Sequence, residues 1–206
     1  MCWQQIRNLL SRRTRKIIAN EDRIPSAVLL LLYQREGEYC LIVTKRTTKV
    51  AIHKGQISFP GGVREPGDQS AEATALREAS EEVGIEGGKV IILGLLDDVP
   101  TGESNYVITP VVGFLPARPS FKVNEDEVEE LIEIPIFSFD RFVKGVRRKS
   151  PGDRECRIEF PEFRYGNHLI WGATARILEQ FLCLLTFLRK NDLSPAKGQK
   201  ERDQHV

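Results

Sequence analysis

Four apolar runs separated by polar segments predict the strands of a sheet. They cover 26–33, 39–44, 89–96 and 106–115. The first run is apolar at nearly every position, which is typical of a strand buried on both faces. A Glu-Gly-Glu turn separates the first two runs and indicates a hairpin. Residues 154–160 alternate apolar and polar side chains, as a half-buried strand does.

Helical periodicity marks segments at both ends of the chain. Residues 3–18 place apolar side chains on one side of a short helix and end in a basic run. A solvated helix end explains that run best, and contact with an anionic surface or ligand is the alternative. Residues 169–189 carry the longest helical pattern, and Glu179-Gln180 within it predict a packed core helix rather than a membrane span. The acidic segment 124–130 predicts the start of another short helix.

Strands interleaved with helices predict a single mixed α/β domain. The length of 206 residues is about that of one domain with a sizeable core. We divide the chain into an N-terminal helix and basic segment (1–25), a folded domain (26–190) and a polar tail (191–206). The tail has the composition of a disordered segment.

The amino-acid composition limits the kinds of binding partner and cellular compartment that we expect. The net charge of +1 gives no case for nucleic-acid binding. Four scattered cysteines without a C-x-x-C pair argue against a zinc site or a disulfide framework and fit a reducing cytoplasm. No apolar run reaches the ~20 residues of a membrane span. We therefore expect a cytoplasmic protein that binds neither nucleic acid nor membrane, and the sequence leaves open whether it forms a homodimer.

Three carboxylates share one face of a short predicted helix. Glu78, Glu81 and Glu82 are spaced i, i+3 and i+4, which places them within an arc of roughly 100°. Like charges at this spacing repel, so a helix built only for stability would pair them with lysines. A hard divalent cation would bind such a cluster, because Mg²⁺ and Mn²⁺ prefer carboxylate oxygens; the alternative is a solvated acidic face. The opposite face carries small and apolar side chains that can pack on a core: Ala75, Leu76, Ala79 and Val83.

Residues 59–85 contain a Gly-Gly turn, the carboxylate helix and a closing glycine, and they resemble the Nudix box of the Nudix hydrolases. The resemblance implies a mixed sheet sandwiched between helices, and hydrolysis of a diphosphate joined to a nucleoside. It also implies Mg²⁺ or Mn²⁺ as cofactor. Glu78, Glu81 and Glu82 would be metal ligands and Gly61 a ligand through its carbonyl. Which carboxylate activates the attacking water stays open.

Three further residues have two interpretations each. Arg77 can hold a ligand carboxylate in place, or it can form a plain surface pair with Glu81. Glu127 stands where the resemblance implies a further metal ligand or base, and a helix-start charge is the alternative. The loop before the helix is one residue longer than in the general box, so Asp68 and Gln69 flank the position of the usual outer Glu. Asp68 has either that acidic role or the role of a turn residue.

Other segments resemble the coenzyme A pyrophosphatase branch of this family. They cover 44–62, 108–114, 125–128 and 170–175. This resemblance implies a small-molecule nucleotide substrate, which is coenzyme A or a derivative. Its products would be 3′,5′-ADP and 4′-phosphopantetheine.

Cationic side chains just before the box are candidates for binding the substrate phosphates. They are Arg46, His53 and Lys49, although an ordinary surface lysine explains Lys49 better. Ala51 stands where many members of the branch have Arg, which favours a rival substrate such as ADP-ribose or a dinucleotide polyphosphate. A nucleotide-binding regulator without catalysis is the second rival, and the intact R-E-x-x-E-E sequence argues against it.

Overall fold

The computed structural model describes residues 2–19, 22–47, 55–102, 104–139, 142–147 and 158–192. Within these residues the chain forms three α-helices, two short 3₁₀ helices (Gly87–Lys89 and Ile136–Phe139) and eleven strands. The helices are α1 (Trp3–Arg12), α2 (Ala71–Val83) and α3 (Gly172–Asp192). The strands are β1 (Ile24–Arg35), β2 (Glu38–Arg46), β3 (Ile57–Ser58), β4 (Gly61–Val63), β5 (Ile91–Leu95), β6 (Val99–Pro100), β7 (Tyr106–Leu115), β8 (Val128–Pro135), β9 (Phe142–Arg147), β10 (Ile158–Tyr165) and β11 (His168–Ile170).

Strand β1 lies at the centre of an eight-stranded mixed sheet. It runs parallel to β7 and antiparallel to β2 and β4. Strands β5 and β6 pair with β7, while β3 and β8 pair with β2. A smaller antiparallel sheet contains β9, β10 and β11. The four strands predicted from the apolar runs and the β1–β2 hairpin are therefore confirmed.

A gap between β1 and β2 positions the Gly-Gly turn. The two strands pair only near their hairpin, from Leu32↔Leu41 to Arg35↔Glu38. Beyond that point they diverge, and residues 57–63 fill the space between them. Strand β3 pairs with β2, and β4 pairs with β1. A single short segment thus bridges the two halves of the sheet through backbone hydrogen bonds.

The two faces of β1 contribute to separate apolar layers. Leu29 and Leu31 belong to a buried cluster with α2, whereas Leu30 and Leu32 belong to a cluster with α1 and α3. The sheet is therefore sandwiched between helices, as predicted. Burial on both faces explains why β1 is apolar at nearly every position. In the described part of the chain, no helix combines the length and the apolar character needed to cross a membrane.

Helix α1 is shorter than the predicted 3–18, because the basic run after it binds acidic residues of its own chain. The backbone N–H of Lys16 donates to the Asp97 carboxylate at 3.0 Å. Arg15 forms an ion pair with Asp98 at 3.3 Å. Arg12 is the exposed last residue of the helix, as a solvated helix end predicts, whereas these contacts hold Arg15 and Lys16 outside the helix.

The acidic segment 124–130 does not begin a helix, so that prediction was wrong. It forms a turn and then enters β8, where Val128 lies opposite Arg46 of β2. Val128, Ile132 and Ile134 are buried in the sheet. Cross-strand pairing and burial outweigh the local helical preference of the acidic residues.

Two other predicted elements are present with shifted bounds. Helix α3 replaces the helix predicted over 169–189, and the residues just before it form β11. The strand predicted over 154–160 overlaps β10. Residues 148–157 and 193–206, which include most of the predicted tail, lie outside the described residues.

Candidate active site

Gly61 and Gly62 lie where the chain approaches both β1 and α2 too closely for a side chain. A Cβ at position 61 would collide with the carbonyl oxygen of Ala27. A Cβ at position 62 would collide with the carboxylate of Glu78. Glycine is therefore required at position 61, where the collision is with backbone, whereas a side chain at position 62 would displace the Glu78 carboxylate. The backbone of the turn thus lies directly against α2.

Helix α2 presents its carboxylates to the turn because its opposite side is buried. Ser70 caps the helix, and its Oγ accepts a hydrogen bond from the N–H of Ala73 at 3.2 Å. Ala75, Ala79 and Val83 are fully buried against the sheet. The capped start and the apolar side together fix the rotation of the helix about its axis.

Glu82 is the most deeply buried of the carboxylates on α2, with 2% of its surface exposed. Its Oε1 lies 3.6 Å from Nη1 of Arg46. Its Oε2 is buried and has no hydrogen-bond partner among the described residues. Burial raises the pKa of Glu82 to about 8, against the opposing effect of Arg46. A carboxylate held in this way can be stabilised by an additional cation.

Glu78 and Glu127 stand close enough to Glu82 to interact with it electrostatically. Both raise the pKa of Glu82, although less than its burial does. Burial also raises the pKa of Glu78, while Arg77, whose Nη1 lies 3.0 Å from Glu78 Oε1, lowers it. Glu127 is oriented by Asn124, whose Nδ2 donates to Glu127 Oε1 at 3.2 Å. The fold thus brings together three of the predicted carboxylates from two distant segments.

Arg77 and Asp68 form a two-point ion pair that holds the loop before α2. Nε of Arg77 donates to Asp68 Oδ1 at 3.2 Å, and Nη2 donates to Oδ2 at 3.0 Å. Nη2 also donates to the carbonyl oxygen of Val63 at 3.0 Å. Asp68 in turn accepts the backbone N–H of Glu65 at 2.9 Å, as a turn residue does. The Arg77 hydrogen bond keeps the pKa of Asp68 low, at about 2.

Glu81 differs from its neighbours because it lies at the outer edge of the helix. Its side chain is 54% exposed, and its Oε2 forms an ion pair with Arg77 Nη1 at 3.0 Å. The predicted surface pair between these two residues is therefore present. Arg77 also contacts Glu78 and Asp68, so this pair is one part of a larger network.

Of the three candidate substrate contacts, the structure describes Arg46. Its guanidinium faces Glu82, and its Nε is buried with no hydrogen-bond partner in the described part of the chain. The β2–β8 register shifts between Lys45 and Arg46, which places Arg46 at the irregular end of the strand. Lys49 and His53 lie outside the described residues.

The groups beside the turn fit a divalent cation in chemistry. Oε2 of Glu82 is a buried oxygen of the type that Mg²⁺ and Mn²⁺ bind. Glu78 and Glu127 supply further carboxylate oxygens within electrostatic range. As they are placed, no three metal-binding side chains of the described residues converge closely enough to hold an ion. Glu82, Glu78 and Glu127 are the residues that would hold a divalent cation.

An uncovered part of the sheet lies beside the turn, and we call it the open face: Ile24, Ser26, Val28, Val63 and Ile108. These residues occupy neighbouring positions on β1, β4 and β7. They lie on the side of the sheet that α1 and α3 cover elsewhere. Ile24 is 44% exposed and Val63 is 40% exposed. The open face is thus a partly apolar surface that begins directly at the turn.

The open face is not evident from the amino-acid sequence. The apolar residues of β1 and β7 resemble ordinary core positions in the sequence. The only available signal was Ser26, a polar residue at the start of an otherwise apolar run. Which part of the sheet the helices leave uncovered depends on tertiary packing.

The mixed sheet between helices, with a Gly-Gly turn against a carboxylate-bearing helix, agrees with the family that the sequence matches. The sequence model of the NUDIX domain matches residues 23–157, and the chain belongs to the Nudix hydrolase family. Members of this family generally use divalent metal ions.

Individual proteins agree with this assignment. The chain is 40% identical over 164 residues to the Nudix hydrolase NudL of Photorhabdus laumondii, covering 77% of this chain and 84% of the relative. It is 38% identical over 156 residues to NudL of Yersinia pestis, covering 74% and 75%. A MutT/Nudix family protein from Enterococcus faecalis has the same fold, with a TM-score of 0.54, 14% identity and coverage of 90% and 75%.

Proposed function

We propose that this chain is a metal-dependent diphosphatase whose substrate is coenzyme A or one of its derivatives. The observation that carries the proposal is the buried Glu82 carboxylate, which faces Arg46 beside the Gly-Gly turn. A carboxylate and a guanidinium that face each other in this way can together bind a ligand that carries both a divalent cation and phosphate oxygens. The products would be 3′,5′-ADP and 4′-phosphopantetheine.

Different residues of the chain have different roles in diphosphate cleavage. A divalent cation would neutralise phosphate charge and acidify a bound water, with Glu82, Glu78 and Glu127 as its carboxylate ligands. Arg46 would bind a phosphate oxygen through its guanidinium, since the side chain is 27% exposed. Arg77 is a positioning residue, because its guanidinium is held by groups of the protein itself: Asp68, the backbone carbonyl of Val63, and Glu78.

We assign the nucleoside of the substrate to the open face. Val63 directly follows the Gly-Gly turn, so a nucleoside joined to a diphosphate at the turn reaches this surface. Ile24 and Ile108 offer apolar area to a flat base, as ligand sites commonly do. The choice of coenzyme A rests on the resemblance of residues 44–62 to that branch. Lys49 and His53 stay predicted substrate contacts, and the cytoplasm stays the predicted location.

A substrate panel tests the proposal. Purified protein with Mg²⁺ or Mn²⁺ is incubated with coenzyme A, an acyl-coenzyme A, ADP-ribose, NADH and a dinucleotide polyphosphate, and kcat/KM is compared. We expect coenzyme A or its acyl form to rank first. A clear preference for ADP-ribose would refute the coenzyme A assignment and leave the diphosphatase class intact.

A second measurement separates the enzyme from a regulator without catalysis. A regulator would bind these nucleotides in calorimetry and release no products from any of them over hours. Turnover that is lost on chelation of the metal would exclude the regulator. The buried Glu82 favours the enzyme, because a pure binder has no need of a buried carboxylate at this position.

A further inference from the structure

Two arginines bind the loop that joins β6 to β7. Nη2 of Arg176, in α3, donates to the carbonyl oxygen of Pro100. Nη1 of Arg23 donates to the carbonyl oxygens of Thr101 and Tyr106, at 3.3 Å and 3.2 Å. We call Arg23 and Arg176 the arginine pair. Each guanidinium carries five N–H donors, and these bonds use only a few of them.

The arginine pair has no negatively charged partner among the described residues. No carboxylate of the described residues forms an ion pair with Arg23 or Arg176. The neighbouring acids are already paired, since Asp97 binds Arg13 and Asp98 binds Arg15. Burial alone lowers the pKa of Arg176, with no acidic group opposing it. A partly buried guanidinium stays charged, so its burial is unfavourable until an anion binds.

The arginine pair lies at the far side of the open face from the Gly-Gly turn. Val63 of β4 lies opposite Ser26, Ser26 lies opposite Ile108, and Ile108 lies opposite Val99 of β6. Pro100 is the next residue. The row spans three strand spacings, or about 14 Å. A ligand that lies across the open face would therefore have the turn at one end and Arg176 at the other.

The start of α3 forms a wall on the same side of the sheet. Strand β11 packs against β3, while α3 packs against β6. The chain between them carries Trp171, which is 40% exposed and makes no ring contact with another described aromatic residue. Residues 170–176 thus cross the sheet beside the open face and end at Arg176.

We propose that the arginine pair binds a phosphate monoester on the nucleoside part of the substrate. This phosphate is separate from the diphosphate that is cleaved at the turn. The inference rests on the proposed function, because it assumes that a nucleoside occupies the open face. Such a phosphate site makes the enzyme prefer substrates whose nucleoside carries an additional phosphate over substrates whose nucleoside carries the diphosphate alone. Arginine suits this role because its planar fork matches phosphate oxygens.

Matched ligands that differ only in this phosphate test the inference. Calorimetry compares 3′,5′-ADP with 5′-AMP, and kinetics compare kcat/KM for coenzyme A with that for dephospho-coenzyme A. Wild-type protein should favour the phosphorylated ligand by about 10-fold or more in both experiments, as expected for a charge-assisted hydrogen bond. Arg176→Gln should bring both ratios close to one. Arg12→Gln, an exposed arginine on α1, is the matched control and should keep the wild-type ratios.

Three results would overturn the inference. The first is equal binding of 3′,5′-ADP and 5′-AMP by wild-type protein. The second is an unchanged ratio in Arg176→Gln, with Arg23→Gln tested in parallel and also unchanged. The third is that Arg176→Gln weakens the binding of 3′,5′-ADP and 5′-AMP equally and also lowers the unfolding temperature. That pattern would mean that Arg176 only holds the loop. Selective binding of 3′,5′-ADP without cleavage of any coenzyme A compound would support the anion site and reject the proposed activity.

Discussion

Two arginine–carboxylate arrangements involve helix α2, and they differ in how many of their polar atoms have hydrogen-bond partners. Arg77 contacts Asp68 at two points, the carbonyl of Val63, and the carboxylates of Glu78 and Glu81. Arg46 approaches Glu82 only at 3.6 Å. On each side of that second pair, a buried polar atom has no hydrogen-bond partner among the described residues.

The difference separates a structural contact from a candidate ligand site. Arg77 has enough partners to fix the loop before α2 without any ligand. In the Glu82–Arg46 pair the carboxyl group is buried and both side chains have an atom without a hydrogen-bond partner among the described residues, which is unfavourable for folding by itself. Buried groups left unsatisfied are often found where a ligand completes the bonding. The comparison therefore predicts that changes at Glu82 reduce activity, whereas changes at Asp68 reduce both stability and activity.

The largest effect is expected for Glu82→Gln. Turnover should fall by about 100-fold or more, because a group that stabilises the reacting charge is removed. The unfolding temperature should stay equal or rise, because ionisation of the buried Glu82 carboxyl is unfavourable and the amide does not ionise. Steady-state kinetics and thermal unfolding measure both effects. Glu72→Gln on the same helix is the control, and turnover of Glu82→Gln near the wild-type level would contradict the assignment.

The next effect concerns the metal. Mg²⁺ or Mn²⁺ at about 100 times its dissociation constant should stabilise wild-type protein by about 2.7 kcal/mol. For a chain of this size that corresponds to an increase of roughly 5–10 °C in the unfolding temperature. The increase should be much smaller in Glu82→Gln. Thermal unfolding with and without metal checks this, and an equal increase in both proteins would place the metal elsewhere.

A smaller effect is expected for Asp68→Asn. The amide cannot accept two charge-assisted bonds from Arg77, so the loop and Glu78 should be held less firmly. Activity should fall about 10-fold, as is typical when the support of a metal ligand is removed. The unfolding temperature should fall as well, in contrast to Glu82→Gln. Unchanged stability in Asp68→Asn would mean that the Asp68–Arg77 pair does not hold the loop.

The smallest effect is a difference in acid sensitivity. The pKa of Asp68 is lowered from 3.8 to about 2 in the folded protein, chiefly by the hydrogen bond with Arg77. A lowered pKa means that this stabilisation is present above pH 3.8 and is lost as the pH falls towards 2. Asp68→Asn lacks this contribution, so its stability should depend less steeply on pH in that window. Urea unfolding between pH 2 and pH 5 measures the free energy of unfolding of both proteins. If the prediction is wrong, this free energy changes equally steeply with pH in the wild type and in Asp68→Asn.

The sequence by itself determined the local features of this protein. The spacing of Glu78, Glu81 and Glu82 places them on one helix face, because helical geometry depends on neighbours three or four residues apart. Continuous apolar runs predicted β1 and the strands beside it, because burial on both faces leaves no polar positions. The motif from residue 59 to 85 also sufficed to indicate the family.

Only the tertiary structure decided how distant segments meet. The gap between β1 and β2, which receives the Gly-Gly turn, depends on where the strands stop pairing. Glu127 reaches Glu78 and Glu82 because its segment turns into β8 instead of starting a helix. Asp68 was ambiguous until its distance to Arg77 was known. Such contacts depend on packing and pairing across the whole chain, and local sequence preferences do not contain that information.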